Sequence, residues 1–228
     1  MEREPKMRIH NLIKFGTEEH MKTLYEQGIL YLNPIEYFRL LEEQGFGRGD
    51  SYEGTTIVSN LRDSDVYVMV DGEWKLLGTT SHTHLHGYKV EMTGNLYCMY
   101  AVHPGAFKDG VFMFDTRIKD LGSHCVIVHE QQNAIFCERV FQALNHAGYT
   151  EHIAGLVKYF DHELPVFQQT DVFMKRTGFS FQNEFRIFVH NLVPQPIRLE
   201  IGRIADIASF YETRSLSLGP FYTSPILP

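Results

Sequence analysis

Three cysteines in 228 residues, Cys98, Cys125 and Cys137, are too few and too odd in number for a disulfide framework, and none stands in a CxxC spacing that would hold a metal. Reduced, buried thiols are expected. Long apolar runs are missing too: stretches such as Val111–Phe114 and Cys125–Val128 are strand-sized, far short of the roughly 20 residues a membrane-spanning helix needs. The segment Met1-Glu2-Arg3-Glu4-Pro5-Lys6 is charged and leads into no apolar stretch. Neither a secretory leader nor a membrane partner is expected, and the cytoplasm is the expected compartment. Positive charge is in short supply, with 21 Lys and Arg against 28 Asp and Glu, a formal charge of −7. That balance argues against coating nucleic acid through counterion release, while leaving room for a local basic groove. There is no GxSxG, no GxxxxGK, no GxGxxG after a strand and no HExxH. Serine hydrolase, P-loop and Rossmann chemistry are disfavoured accordingly.

What is present is core material: 43% hydrophobic residues, including 17 Phe and 12 Tyr, enough to fold and too much for disorder. Twelve histidines also stand out. Nine are dispersed, but His82, His84 and His86 alternate, so an extended strand would project all three to one face about 6.5–7 Å apart. Such a face could cup a metal or simply form a wet strand edge, and the sequence assigns no metal ligands.

Residues from Met7 to Phe15 read as a strand that Gly16 ends, and Thr17 with Glu18 and Glu19 reads as a helix N-cap and acidic first turn. The helix over Thr17–Gln27 should stop at Gly28, before a strand over Ile29–Leu32. Asn33-Pro34 then starts a second helix that gives way to the glycine-rich stretch Gln44–Asp50. Strands are predicted at Thr56–Ser59, Val66–Val70, Glu73–Leu77, Tyr88–Met92, Leu96–Val102 and Val111–Phe114, with Asp71-Gly72 as a hairpin turn. Gln132–Asn145 carries apolar residues at helical spacing. Further strands are expected at His152–Phe160, Phe167–Met174, Phe181–Val189 and Ile197–Ile201, and a short helix near Ile204–Phe210. No repeat, low-complexity tract or linker divides the chain, so residues 1–228 read as one strand-rich α+β domain.

Three segments could carry chemistry. Lys14-Phe15-Gly16-Thr17 sits at a strand-to-helix junction, where free N–H groups and the Thr17 hydroxyl could grip a polar ligand, or merely cap the helix. Arg48–Gly54 gathers an arginine, two carboxylates, Tyr52 and two glycines; the arginine could clamp a phosphate and the ring could stack a flat ligand, with a solvated loop as the bland alternative. In Lys175–Phe188, Glu184 and Arg186 share one strand face between aromatic residues. A carboxylate held on a rigid strand can orient a sugar hydroxyl or stabilise a cationic sugar, although a Glu184–Arg186 ion pair would also satisfy the pattern. Cys98 lies in an apolar strand and reads as structural.

In chain order, these pieces resemble the ADP-ribosyltransferase fold. Ile13–Leu30 is similar to that family's opening strand, ligand-gripping motif, helix and second strand. Phe181–Val189 with Pro196–Ile204 is similar to the late strand that carries the family's glutamate and to the elements after it, and Gln182 stands two residues before Glu184. The layout is most like nucleic-acid-modifying toxins of bacterial toxin–antitoxin and anti-phage defence systems. The resemblance implies a split sheet and a NAD-dependent mono-ADP-ribosyltransferase, with NAD as substrate. Implied NAD-binding residues are Lys14, Phe15, Gly16, Thr17 and Tyr31, with Arg39 or Arg48 on the diphosphate. Glu184 would be catalytic, assisted by Arg48. Phe46, Tyr52 and Arg186 would meet an RNA or DNA acceptor, single-stranded where aromatic rings stack its bases. A neutralising antitoxin protein is the implied partner. Two other functions stay open: an inactive nucleotide- or protein-binding module of the same fold, and a metal-dependent nuclease built on His82, His84 and His86.

Overall fold

Gly16 ends the first strand and Thr17 caps the helix that follows, its hydroxyl oxygen accepting from the His20 amide at 3.3 Å. The computed structural model describes residues 8–43, 49–89, 92–161, 163 and 167–222. Along the chain come β1 (Asn11–Gly16), α1 (Glu18–Lys22) with a π-type turn over Thr23–Gln27, β2 (Ile29–Pro34) and α2 (Ile35–Glu43). Next are β3 (Thr55–Val70), β4 (Glu73–Tyr88), β5 (Gly94–Val102), β6 (Val111–Phe112), β7 (His124–His129) and α3 (Asn133–His146). The remainder is β8 (His152–Leu156), β9 (Lys158–Phe160), β10 (Phe167–Gln169), β11 (Met174–Arg176), β12 (Glu184–His190), β13 (Ile197–Glu200), β14 (Ala208–Glu212) and β15 (Phe221–Tyr222). The chain is therefore a strand-rich α+β domain. Among the described residues no helix is long and apolar enough to cross a membrane.

Eight strands form the main sheet, in the order β13-β2-β5-β1-β7-β14 with β12 and β8 continuing from the other edge of β5. One face packs on α3: Phe136, Val140 and Leu144 are fully buried against Leu12, Tyr97, Met99, Ala101, Phe185, Ile187 and Val189. Each such side chain contributes roughly 1.5–3 kcal/mol by leaving water, which anchors the sheet on that side. The opposite face carries Ile13, Phe15, Leu96, Cys98, Tyr100, Glu184 and Arg186. The strand alternation predicted for β12 is thus present, with its apolar set in the core.

The sheet is split. Strand β12 pairs along one edge of β5, from Glu184↔Tyr100 to His190↔Gly94. On the other edge β1 pairs only at Asn11↔Val102, Leu12↔Ala101 and Ile13↔Tyr100, and β2 only at Asn33↔Leu96 and Pro34↔Asn95. Between them Tyr97–Met99 face a gap, which Lys14 enters to donate from Nζ to the Cys98 carbonyl at 2.7 Å.

Two glycine-dependent turns fall where the sequence puts them. Gly28 closes the first helix in the left-handed region (φ 67°), and a Cβ there would lie 1.8 Å from the Gly202 carbonyl oxygen. At Asp71-Gly72 both residues have positive φ, 51° and 83°, the turn that matches strand twist in a two-residue hairpin.

Several expected elements differ. The separate strands at Thr56–Ser59, Val66–Val70 and Glu73–Leu77 are parts of one long β3–β4 ribbon, which β10 joins at its base. The predicted strand Tyr88–Met92 falls apart, since Tyr88 ends β4 and residues 90 and 91 lie outside the described residues. His152–Phe160 is interrupted at Val157, and Phe167–Met174 becomes β10 and the start of β11. Residues Thr177–Gln182 form 3-10 turns, so the glutamate strand begins at Glu184 rather than Phe181. The helix expected near Ile204–Phe210 is instead a turn leading into β14, which pairs with β7 from Ala208↔Val128 to Glu212↔His124. Ile204 and Ile207 mimic helical spacing because both are buried from a turn.

Candidate active site

A cleft of about 150 Å³ opens where β1 and β2 part from β5. Its walls include Lys14 and Phe15 from β1, Tyr31 from β2, Tyr37 and Phe38 from α2, and Gln182, Glu184 and Arg186 around the start of β12. Phe15 meets Tyr100 edge to face at 6.3 Å, and Tyr31 and Tyr37 stand half-exposed at the rim. Aromatic faces and a few convergent polar groups suit a flat, polar ligand.

Beneath the cleft lies a balanced network of three carboxylates and three cations. Arg186 is fully buried and donates from Nη1 and Nη2 to Glu53 at 2.5 and 2.8 Å, from Nε to Glu184 at 2.7 Å, and to the Val172 carbonyl at 2.6 Å. Lys175 Nζ bridges Gln182 Oε1 at 2.6 Å and Glu184 Oε1 at 2.7 Å. Arg176 Nε pairs with Asp50 at 2.7 Å and its guanidinium lies over the Tyr52 ring at 4.7 Å. Asp50 and Glu53 are each 1% exposed, so the loop that holds them is an internal support of the sheet rather than a solvated turn. Buried charges survive only when paired and hydrogen-bonded, and this set meets both conditions.

The network sets the state of Glu184. Burial works to raise its carboxyl, but the charges of Arg186 and Lys175 and the hydrogen bonds from both outweigh it and hold the group down at about 2. Glu184 is therefore ionised at neutral pH. Glu53 goes the other way, raised by burial and by the neighbouring Glu184 and Asp50 carboxylates against the pull of Arg186 and Lys175. The Glu184 backbone is fixed as well. Its amide donates to the Tyr159 hydroxyl at 2.9 Å, and the preceding Asn183 takes the left-handed conformation (φ 41°) with its side chain bonded to the Ala101 carbonyl and to His103.

Of the residues singled out in the sequence, Lys14, Phe15, Tyr31, Glu184 and Arg186 come together here. Arg186, however, expected to meet an acceptor, is fully buried with its guanidinium bonded to Glu53, Glu184 and the Val172 carbonyl, so it supports Glu184 instead of touching a nucleic acid. Gly16 and Thr17 do not line the cleft: Gly16 packs on Met21, where a Cβ would lie 2.8 Å from the methyl carbon, and Thr17 is spent on the helix cap. Arg39 turns away, donating to the Glu53 carbonyl at 2.7 Å with its guanidinium 4.0 Å from the centre of the Tyr88 ring. Tyr52 packs on His86 and Arg176 outside the cleft. Arg48 and Phe46 lie outside the described residues. Lys175, Asp50 and Glu53 were visible only as members of their segments; their signal was charge set among aromatic and apolar residues, but the pairings of Asp50 and Glu53 span 126 and 133 residues, and Lys175 reaches Gln182 and Glu184 across the 3-10 turns of Thr177–Gln182. Cys98 is a buried thiol pushed up to about 12, chiefly by burial and then by Glu184, and Cys125 and Cys137 are pushed by burial to about 11. None is a nucleophile at neutral pH. No protein-family model matches the chain, and neither the curated proteins nor the solved structures searched contain a match.

Proposed function

We propose that this chain is a NAD-dependent mono-ADP-ribosyltransferase whose reacting centre is the cleft at the sheet split. The carrying observation is convergence: Lys14, Phe15 and Tyr31 from the first strands and Gln182 and Glu184 from a segment some 150 residues later line one cavity. At about 150 Å³ the cavity is below the roughly 300 Å³ of ordinary ligand pockets, a size suited to the nicotinamide end of NAD with the rest lying across the rim. Tyr31 and Tyr37 stand half-exposed there, and Lys14 is the lining cation outside the buried network that would meet the diphosphate.

In this reading Glu184 acts as a fixed anion. Each of its oxygens accepts one bond from the protein, Oε1 from Lys175 and Oε2 from Arg186, and an ionised carboxylate has about four acceptor positions, so it can still accept from a ribose hydroxyl. As the glycosidic C–N bond breaks, nicotinamide leaves with the bonding electron pair and positive charge grows on the ribose, where a preorganised carboxylate stabilises it. A nucleophilic atom of the acceptor then bonds to the anomeric carbon and gives up its proton. The acceptor is a nucleic acid, met as a single strand because the net charge of −7 disfavours broad phosphate contact. An activity of this kind in a bacterial cytoplasm calls for a neutralising protein partner.

The binding-module reading is favoured by one observation, that both Glu184 oxygens already serve the buried network. One assay separates the two. The full chain is incubated with NAD and single-stranded RNA or DNA, and nicotinamide release is followed. Release that falls about 100-fold or more in Glu184→Gln, with its thermal melt checked, supports the transferase. Wild-type chain that binds NAD without releasing nicotinamide supports the module, and unchanged release in Glu184→Gln removes the glutamate's role.

A further inference from the structure

Away from the cleft, the β3–β4 ribbon gathers a second set of polar side chains. His82 and His84, two apart on β4, project to the same side with ring centroids 4.4 Å apart. Glu163, from the segment that leads into β10, comes up beside them, and one ligand atom from each of the three lies within 4.8 Å of the other two. His86 does not join. Its ring packs instead against Tyr52 at 5.3 Å and Tyr88 at 5.5 Å, so the alternating trio divides into a pair and a packing residue.

We propose that His82, His84 and Glu163 bind a first-row divalent cation, with zinc the best match. Two imidazoles and a carboxylate are a donor set zinc takes with a fourth position left open. Ligand atoms around a tetrahedral zinc with bonds of about 2.1 Å sit about 3.4 Å apart, so the three groups need to close by only an ångström or so. All three side chains are exposed and can turn to do it.

A buried residue prepares the site. Asn60 is 2% exposed and pairs across the ribbon with His84. Its Nδ2 donates to the Glu163 carbonyl at 2.6 Å, which ties the glutamate's segment to the ribbon, and its Oδ1 lies 2.5 Å from His82 Nε2. An amide oxygen can only accept, so Nε2 carries the proton and Nδ1 of His82 is left as the lone-pair donor. A histidine whose second nitrogen is bonded to a protein oxygen is the arrangement that orients an imidazole towards a metal.

The test is titration of the metal-stripped full chain with Zn2+ by calorimetry, and with Co2+ by its visible absorption, for wild type and variants. Expected are one zinc per chain, a bound-cobalt spectrum of low coordination number, binding weakened about 100-fold in His84→Ala and in Glu163→Gln, and about 10-fold in Asn60→Ser. The ligands are exposed, so the His84→Ala and Glu163→Gln variants keep the wild-type melt without metal. Zinc binding that is no tighter in wild type than in the His82→Ala/His84→Ala double variant overturns the proposal, as does a loss in His86→Ala equal to that in His84→Ala.

Discussion

Against the main sheet, six charged side chains are drawn inside: Glu184 and Arg186 of β12 pair beneath the cleft with Lys175 and Arg176 of β11 and with Asp50 and Glu53 of the loop before β3. In the outer half of the β3–β4 ribbon, large apolar side chains are left outside. Tyr67 pairs with Leu76 and Met69 with Trp74 across the ribbon, giving one apolar face on which all four are between 49% and 67% exposed. Charge belongs in water and apolar surface out of it, so both regions depart from the rule, in opposite senses. The difference teaches where stability resides. The sheet has α3 behind it and every buried charge partnered, whereas the ribbon tip has no second layer among the described residues and relies on strand pairing alone, which is marginal in water.

Removing the central cation has the largest expected effect. Arg186→Met strands Glu53 and Glu184 in the interior and is expected to destabilise the chain by about 3–5 kcal/mol in urea unfolding. A loss under 1 kcal/mol would show that the network is not a buried, coupled unit. Gly28→Ala, in the sheet region but remote from the charges, forces a left-handed alanine against Gly202 and should lose about 2 kcal/mol by the same measurement. Acid sharpens the contrast further. Glu184 has a folded value of about 2 against an ordinary 4.5, so its contribution is present above about pH 4.5 and is lost as pH falls towards 2. Glu53, raised, has the opposite sign and favours the folded state as it takes up its proton. Stability followed by denaturant melts should therefore fall between pH 4.5 and 2, less steeply in Glu184→Gln than in wild type. At the small end, Trp74→Ser on the ribbon is expected to change global stability by no more than about 0.5 kcal/mol, and the amides of 66–77 should exchange hydrogen faster than those of β5 and β12.

Local features were legible in the sequence: the Thr17 cap, the Gly28 stop, the Asp71-Gly72 turn, the long helix α3 and the strand β5 each follow from a short pattern. The ribbon's length was not, because a register shift between Val66 and Tyr67 breaks the alternation and its outer half has no buried face to generate contrast. Of the candidate site, Lys14, Phe15, Tyr31, Glu184 and Arg186 could be picked out because each sits in a strand or junction with a readable face. Asp50 and Glu53 could not be given roles, since what defines them is a partner 126 or 133 residues along the chain, and Lys175, although only 7 and 9 residues from Gln182 and Glu184, meets them through turns that no periodicity marks. The His82–His84–Glu163 group illustrates the same limit: spacing shows the histidines, and only the fold supplies the glutamate.

The most direct test of the central claim, that the split in the sheet is a NAD site, is a crystal structure of the full chain soaked with NAD. The expected result is the nicotinamide ribose between Tyr31, Phe15 and the Glu184 carboxylate, with the diphosphate within reach of Lys14. NAD bound elsewhere, or a cleft that stays closed to it at saturating concentration, would contradict it.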